Sequence, residues 1–510
     1  MCVGSLLPEG GPGAAVFGYA CTTRRICEPP SFEESCLSRA CLAVSPQQHG
    51  VVMEEFLAAA KGGVTSISGE QWVAILRRFS IAHEATWAVS PLCGLDSKRI
   101  LVRVVVELLH HTVGLNGRHR SRTLGPGVEA EALLAARILL REREGAERLM
   151  DQEALETYTK AAQEDGDAAC GFRVSLMALK CLNNAVWDQP KGQISFVQLG
   201  GLDMLIGLLQ ASRPAPVLYF ACRIFNVVGS SNPTAFNELK KKQDLLLLLL
   251  SVLAGCVRCT HPPFPGGEDR VKLMVQALQG LFLLGVRFTP EEKKNALEGD
   301  TMKRLGYVLV DILHLDHAEV DVFMAKLQVL NLLLDMPNGF AEVLLEHGCL
   351  PRVVQLVELQ LVRQEFQDGG VDAAAELTPG LLVLNKMVLA SEESKMAVKR
   401  AIFPPKADKV WKQRLEREKR ELASLTGDDY KRAEKLSKDK RVHPVDAPKG
   451  TLRARLLKQM TATESSSKTA VSDLLFNVCA DEEEFTTRCG FGNAVNTLRL
   501  RGMISVPGIG

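Results

Sequence analysis

Four cations and five amides recur in this 510-residue chain at spacings that could carry recognition chemistry. Arg137 precedes Arg141 by four residues, Lys180 precedes Asn184 by four, and Arg223 precedes Asn226 by three. Side chains three or four apart share a helix face. Arg137, Arg141, Lys180 and Arg223 therefore predict a basic patch, and the guanidinium fork matches a carboxylate. Bond-making chemistry has little to work with. Cys256 and Cys259 with His261 form half of a metal site, with no second Cys/His pair to complete it. Gly490-Phe491-Gly492 lacks both the third glycine and the preceding strand of a dinucleotide loop, and reads as a helix–helix turn. P-loop, Gly-x-Ser-x-Gly and His-Glu-x-x-His motifs are missing from the sequence. No catalytic, cofactor-binding or metal-binding residue is expected.

The elements that must position these residues are helices. Apolar residues recur at helical period from about Met53 onward, and alternating strand patterns are almost absent. Leu182-Asn183-Asn184-Ala185-Val186, Ile224-Phe225-Asn226-Val227-Val228, Val329-Leu330-Asn331-Leu332-Leu333 and Val383-Leu384-Asn385-Lys386-Met387 share one register. Leu281-Phe282-Leu283-Leu284 fits between them, with Leu283 in place of the amide. Armadillo and HEAT units run ~40–47 residues, and these positions lie 42 to 57 residues apart. The expected fold is all-α, an armadillo/HEAT-type superhelix with loop insertions. The ladder reaches upstream to Arg141 and starts by residue 137, with a further helix pair at Ile100–Thr112. Downstream, Asn477 comes 92 residues after Asn385, which reads as two units. It belongs to a stretch (Ala470–Met503) that reads as an amphipathic helix, an acidic turn, a glycine reversal and a second short helix. An asparagine inside such an apolar helix either lines a groove or bonds a neighbouring loop, because an unpaired buried amide costs ~1–3 kcal/mol.

The composition, 46% hydrophobic and 24% charged with net charge +1, describes a soluble folded chain without a bulk field for nucleic acid or membrane. The 14 cysteines lack a disulfide framework, and Cys181, Cys222 and Cys479 fall on apolar stripes. Cys21, Cys27, Cys36 and Cys41 have irregular gaps unlike zinc ligands. The longest apolar run, Leu245–Val257, reads as a core helix rather than a membrane span. The expected division is a disordered or targeting-like extension at 1–50, repeats over 51–405, a basic insertion at 406–449, and C-terminal repeats with a cap over 450–505. Within the insertion, Val410–Leu425 reads as a charged helix.

The C-terminal stretch resembles the synembryn family of Gα-protein chaperones and exchange factors. The resemblance rests on Leu475-Phe476-Asn477-Val478-Cys479, Gly490-Phe491-Gly492-Asn493-Ala494 and Arg501-Gly502-Met503. Upstream it is joined by Ala401-Ile402-Phe403-Pro404-Pro405 and Arg453–Thr461. It continues through Leu179-Lys180-Cys181-Leu182 with Asn184, Arg137-Ile138-Leu139 with Arg141, and Tyr219-Phe220 with Arg223. It implies a superhelix whose concave groove holds the C-terminal helix of a Gα subunit, GDP-bound or nucleotide-free, with no covalent step. Arg137, Arg141, Asn184, Phe220 and Arg223 are the contacts it implies, and the register adds Lys180, Asn226 and Asn331. A cytoplasmic monomer recruited to the plasma membrane through Gα is the corresponding expectation, without membrane insertion or nucleic-acid binding. The family's longer acidic tail and terminal helix have no counterpart before Gly510, so either weak exchange activity or an incomplete chain is expected. A generic armadillo adaptor is the competing reading. Import receptors of that kind place Trp one turn before each groove Asn, whereas here Trp187 follows Asn184.

Overall fold

The computed structural model describes residues 46–85, 88–113, 124–164, 169–211, 213–242, 244–258, 267–315, 320–337, 339–366, 371–404, 420, 450–461 and 465–504. These hold 24 α-helices and no strand among the described residues. Eight helices stack side by side in chain order as an inner layer. They are α1 (Gly69–His83), α2 (Gly125–Leu139), α3 (Ala169–Val186), α4 (Ala215–Ser231), α5 (Gly267–Arg287), α6 (Val320–Asp335), α7 (Val371–Ala390) and α8 (Ser465–Val478). An outer helix backs each one; Gly201–Gln210 lies behind α4, Leu245–Arg258 behind α5 and Leu350–Phe366 behind α7. Short helices such as Pro233–Lys242 and Pro290–Ala296 lead from each inner helix to the next outer one. Three helices per unit, with the third lining the inner face, is the armadillo/HEAT-type architecture.

Local chemistry accounts for the helix boundaries. Ser68 starts α1 with a capping box, its hydroxyl accepting from Gln71 N while the Gln71 side chain accepts from Ser68 N. Trp72, Ile75, Leu76 and Phe79 then bury one stripe of α1. Pro216 lies in the first turn of α4, where its missing N–H costs nothing. The inner helices approach closely where a side chain is absent: a Cβ on Gly285 of α5 would overlap the carboxylate of Asp335 on α6.

Cations from one unit cap the C-terminal carbonyls of another, where helices leave four C=O groups orphaned and carry partial negative charge. Arg143 donates to Trp187 O at 2.8 Å, Arg287 to Ser230 O at 3.0 Å, and Lys240 to Arg287 O at 3.1 Å. Lys386 donates to the carbonyls of Leu333, Leu334 and Met336 at the end of α6.

The register positions mark the inner layer, and local expectations change. The array reaches upstream of Arg137 to α1, within the 51–405 range expected for the repeats, where Trp72 and Phe79 build a core without a register amide. Ile100–Thr112 is part of one outer helix, Leu95–Val113, packed behind α2, rather than a helix pair. The 92-residue step from Asn385 to Asn477 is a single unit: α7 and α8 are direct neighbours, and Asn477 Nδ2 donates to Asn385 Oδ1 at 2.9 Å. The acidic residues after Asn477 form the first turn of helix Glu482–Cys489, capped by Asp481, where negative charge complements the helix end. Gly490, at φ +82°, alone makes the reversal into Phe491–Leu500. Leu245–Val257 is a core helix with one exposed face at Leu247, Ser251 and Gly255, and no single helix among the described residues is long and apolar enough to cross a membrane. The N-terminal cysteines, Cys259, His261 and, apart from Arg420, the insertion with its expected helix at Val410–Leu425 lie outside the described residues.

At the seam of that insertion, the buried Phe403 ring lies beneath the guanidiniums of Arg453, at 5.1 Å, and Arg488, at 4.6 Å. Arg488 and Lys399 both pair with Glu484 at 2.7 Å. Burial would raise the Glu484 carboxyl, but its bonds to Lys399, Ala480 N and Arg488 prevail and hold it at about 2.

Candidate functional site

Each inner helix between the first and the last is covered behind by its own unit and on both sides by its neighbours, so one stripe remains open. On α3 that stripe is Arg173, Lys180 and Asn184, continued by Trp187 just past its end, while Ala178, Leu179, Cys181, Leu182 and Ala185 are buried. Burial pushes the Cys181 thiol up to about 12, which leaves it an inert packing group.

Between α3 and α4 the structure assembles an aromatic–cation wall. The Lys180 ammonium lies 5.8 Å from the Phe220 ring centre, and the Arg223 guanidinium lies 5.0 Å from that of Trp187. Both distances are within cation–π range. Arg223 Nε donates to Asn183 Oδ1 at 3.1 Å, and its terminal nitrogen donates to Tyr219 Oη at 2.9 Å. Tyr219 and Phe220 meet edge to face at 5.0 Å. These contacts fix the Arg223 plane without neutralising it, since Asn183 and Tyr219 carry no formal charge. The wall offers two oriented cations and an apolar ring surface, a combination suited to an amphipathic segment bearing a carboxylate.

The structure thus brings Lys180, Asn184, Phe220 and Arg223 together. Arg137 and Arg141 are close by but turned away, which corrects the expectation of an open four-cation patch. Arg137 is buried and ion-paired with Glu84, just past the end of α1. Arg141 donates to the carbonyls of His83 and Glu84 and lies 3.8 Å from the Glu84 carboxylate. The reason is local: the α1 C-terminus presents unpaired carbonyls and one acid at the place these guanidiniums reach.

Asn184 and Asn226 tie inner helices together, whereas Asn331 does not. Asn184 Nδ2 donates to Arg137 O at 3.5 Å, and Asn226 Nδ2 to Gln276 O at 2.9 Å across to α5. Asn331 bonds Gln328 on its own helix at 3.5 Å and sits on α6, two inner helices beyond α4, away from the wall.

Sequence reasoning missed Trp187, whose only signal was a lone aromatic one turn after a register amide. It also missed Glu84, the partner that decides where Arg137 and Arg141 point, and a trio formed by Arg77, Glu131 and Arg173 on the same stripe. A second concavity of about 390 Å³ opens at the far end, between Leu389, Lys395 and Asp481. Among the described residues no group of three or more metal-ligating side chains occurs.

Comparison with known proteins gives one family-level result. No curated protein matches the chain. Among solved structures it is similar to an engineered protein, at 14% identity and a TM-score of 0.49 over 90% of this chain and 95% of that one. The family model described as guanine nucleotide exchange factor synembryn matches residues 132–425 and 436–507, spanning the array from within α2 to the helix after Gly490. With that model matched over most of the chain, the chain belongs to the synembryn family of guanine nucleotide exchange factors.

Proposed function

We propose that this chain, as a member of a family of exchange factors and chaperones for G-protein α subunits, grips the C-terminal helix of a Gα subunit on its inner face. The observation that carries the reading is the wall of Lys180, Phe220, Arg223 and Trp187 on α3 and α4, inside the family-matched region. A Gα tail is an amphipathic helix ending in a carboxylate. Its apolar face suits the Phe220 and Trp187 rings, and its terminal carboxylate suits Arg223 and Lys180. Asn184, Asn226 and Asn331 continue the surface, and Arg137 and Arg141 join it where a ligand carboxylate competes with Glu84.

The mechanism involves no covalent chemistry. Holding the tail away from the GTPase core stabilises the open, nucleotide-free state by the differential affinity of the two states for this surface. GDP leaves, and the same grip protects nascent Gα as it folds. The partner is GDP-bound or nucleotide-free Gα, met by a monomer in the cytoplasm and followed to the plasma membrane. The working division of the chain remains an extension at 1–50, repeats over 51–405, an insertion at 406–449 and C-terminal repeats over 450–505.

The test is retention of the purified chain on an immobilised Gα C-terminal peptide. Lys180→Glu with Arg223→Glu, at unchanged melting temperature, is expected to weaken retention by about 2–5 kcal/mol. Equal retention refutes the wall as the binding surface. GDP release from purified Gα, with and without the chain, separates exchange from chaperoning alone.

A further inference from the structure

About two turns before Lys180 on α3, the open stripe carries a second cationic feature. Glu131 of α2 is buried, and its Oε1 accepts from Arg77 Nε of α1 and pairs with a terminal nitrogen of Arg173 of α3, both at 3.1 Å. The carboxylate is 1% exposed, whereas Arg77 is 57% and Arg173 43% exposed. Two guanidiniums share one carboxylate, so the cluster has net charge +1 and its solvent side is cationic. Glu131 Oε2 has no hydrogen-bond partner. An ion pair serving only to hold three helices together would bury its cations beside the acid. Here the acid lies beneath two half-exposed forks that still offer N–H donors to a second oxyanion.

The placement relates this cluster to the wall. Arg173 precedes Lys180 by seven residues on α3, about 10 Å along the axis at ~1.5 Å per residue, and positions seven apart share a face. An α-helix with side chains is about 10–12 Å across. A helix docked against α3 therefore meets Lys180 and Arg223 on one side and Arg77 and Arg173 on the other.

We propose that Arg77 and Arg173, positioned by Glu131, clamp an Asp or Glu side chain of the docked partner helix, separately from the terminal carboxylate met at the wall. This rests on the proposed function for the partner's identity, and on the Arg77–Glu131–Arg173 geometry for the contact itself. Two half-exposed pairs of this kind correspond to about a tenfold effect on affinity.

The experiment measures binding of two labelled Gα C-terminal peptides. One is native; in the other, internal Asp and Glu become Asn and Gln while the terminal carboxylate is kept. Arg77→Gln with Arg173→Gln is expected to weaken the native peptide about tenfold and leave the neutralised peptide unchanged, whereas Lys180→Glu with Arg223→Glu weakens both. Because the Arg77/Arg173 variant strands Glu131, a triple variant adding Glu131→Gln leaves no buried charge and is expected to show the same selectivity. Equal losses for both peptides, or no loss while the native peptide still binds, overturn the clamp alone. If the unmodified chain retains neither peptide, the proposed function and the clamp both fall.

Discussion

Glu84→Gln isolates what Arg137 and Arg141 do in the unbound protein. The Arg137 side chain is 8% exposed and the Glu84 side chain 22% exposed. Removing one partner of a buried pair costs about 3–5 kcal/mol because the remaining charge loses its compensation. The amide that replaces the carboxylate keeps a hydrogen-bonding oxygen and the site is not fully dry, so the lower end, about 3 kcal/mol, is the expected loss. A repeat array opens locally, and the loss is therefore expected in the first units rather than uniformly. Hydrogen exchange by mass spectrometry reads this directly. Amides in α1 and α2 should exchange about a hundredfold faster at fixed pH, by ~1.4 kcal/mol per tenfold, while α8 serves as the internal control. Adding Arg137→Met removes the stranded charge and should restore protection to within about 1 kcal/mol. Unchanged exchange in Glu84→Gln, or a double variant no better than the single, would falsify the argument that this pair is a buried structural tie. Arg137→Glu with Arg141→Glu is expected to disrupt the first units outright, by placing three acids together at the α1 C-terminus. Loss of peptide binding in that variant would say nothing about the groove, which is why Lys180 and Arg223 are the better probes.

The amide clasp between the last two inner helices gives a smaller effect: Asn385→Leu leaves the Asn477 amide without its acceptor, and urea denaturation should show a loss of about 1 kcal/mol, largely recovered in Asn385→Leu with Asn477→Leu. His83 supplies a pH dependence. Burial, reinforced by His49, lowers its imidazole from 6.5 to about 4. The unfolded chain then holds more protons between those values, so stability falls as pH drops from about 6.5 to about 4 and levels off below. Melting temperature followed across that window should lose part of its slope in His83→Leu, and an unaltered slope would place the titration elsewhere.

Much of the inner layer was legible because Asn184, Asn226, Leu283, Asn331, Asn385 and Asn477 occupy one register position, and a two-layer stack leaves only one place for such a mixed stripe. The first inner helix was legible only through the helical periodicity from about Met53, since α1 buries Trp72 and Phe79 and carries no register amide. Unit counting failed between Asn385 and Asn477 because an insertion lengthens the chain without adding an inner helix. The cations were read from spacing alone, which establishes the face of a helix but not the partner reaching it from a distant segment. Lys180 and Arg223 meet the rings of Phe220 and Trp187, whereas Arg137 and Arg141 meet Glu84, more than 50 residues away. Arg77 and Arg173 carry no such spacing signal: only packing shows that Glu131 draws both together.

The stacking of Arg453 on Phe403 has a consequence for how this chain tolerates change in length. Residues 403 and 453 are neighbours in space, so whatever joins them is a closed excursion whose ends are already together. The entropy of such a closure grows only logarithmically, about 0.6 kcal/mol for each doubling. The array should therefore be nearly indifferent to the size of what is spliced there. A fluorescent domain inserted between those residues would report on the superhelix without straining it, while the same domain placed in the two-residue link between Arg287 and Pro290 would pull apart the capped ends of α5.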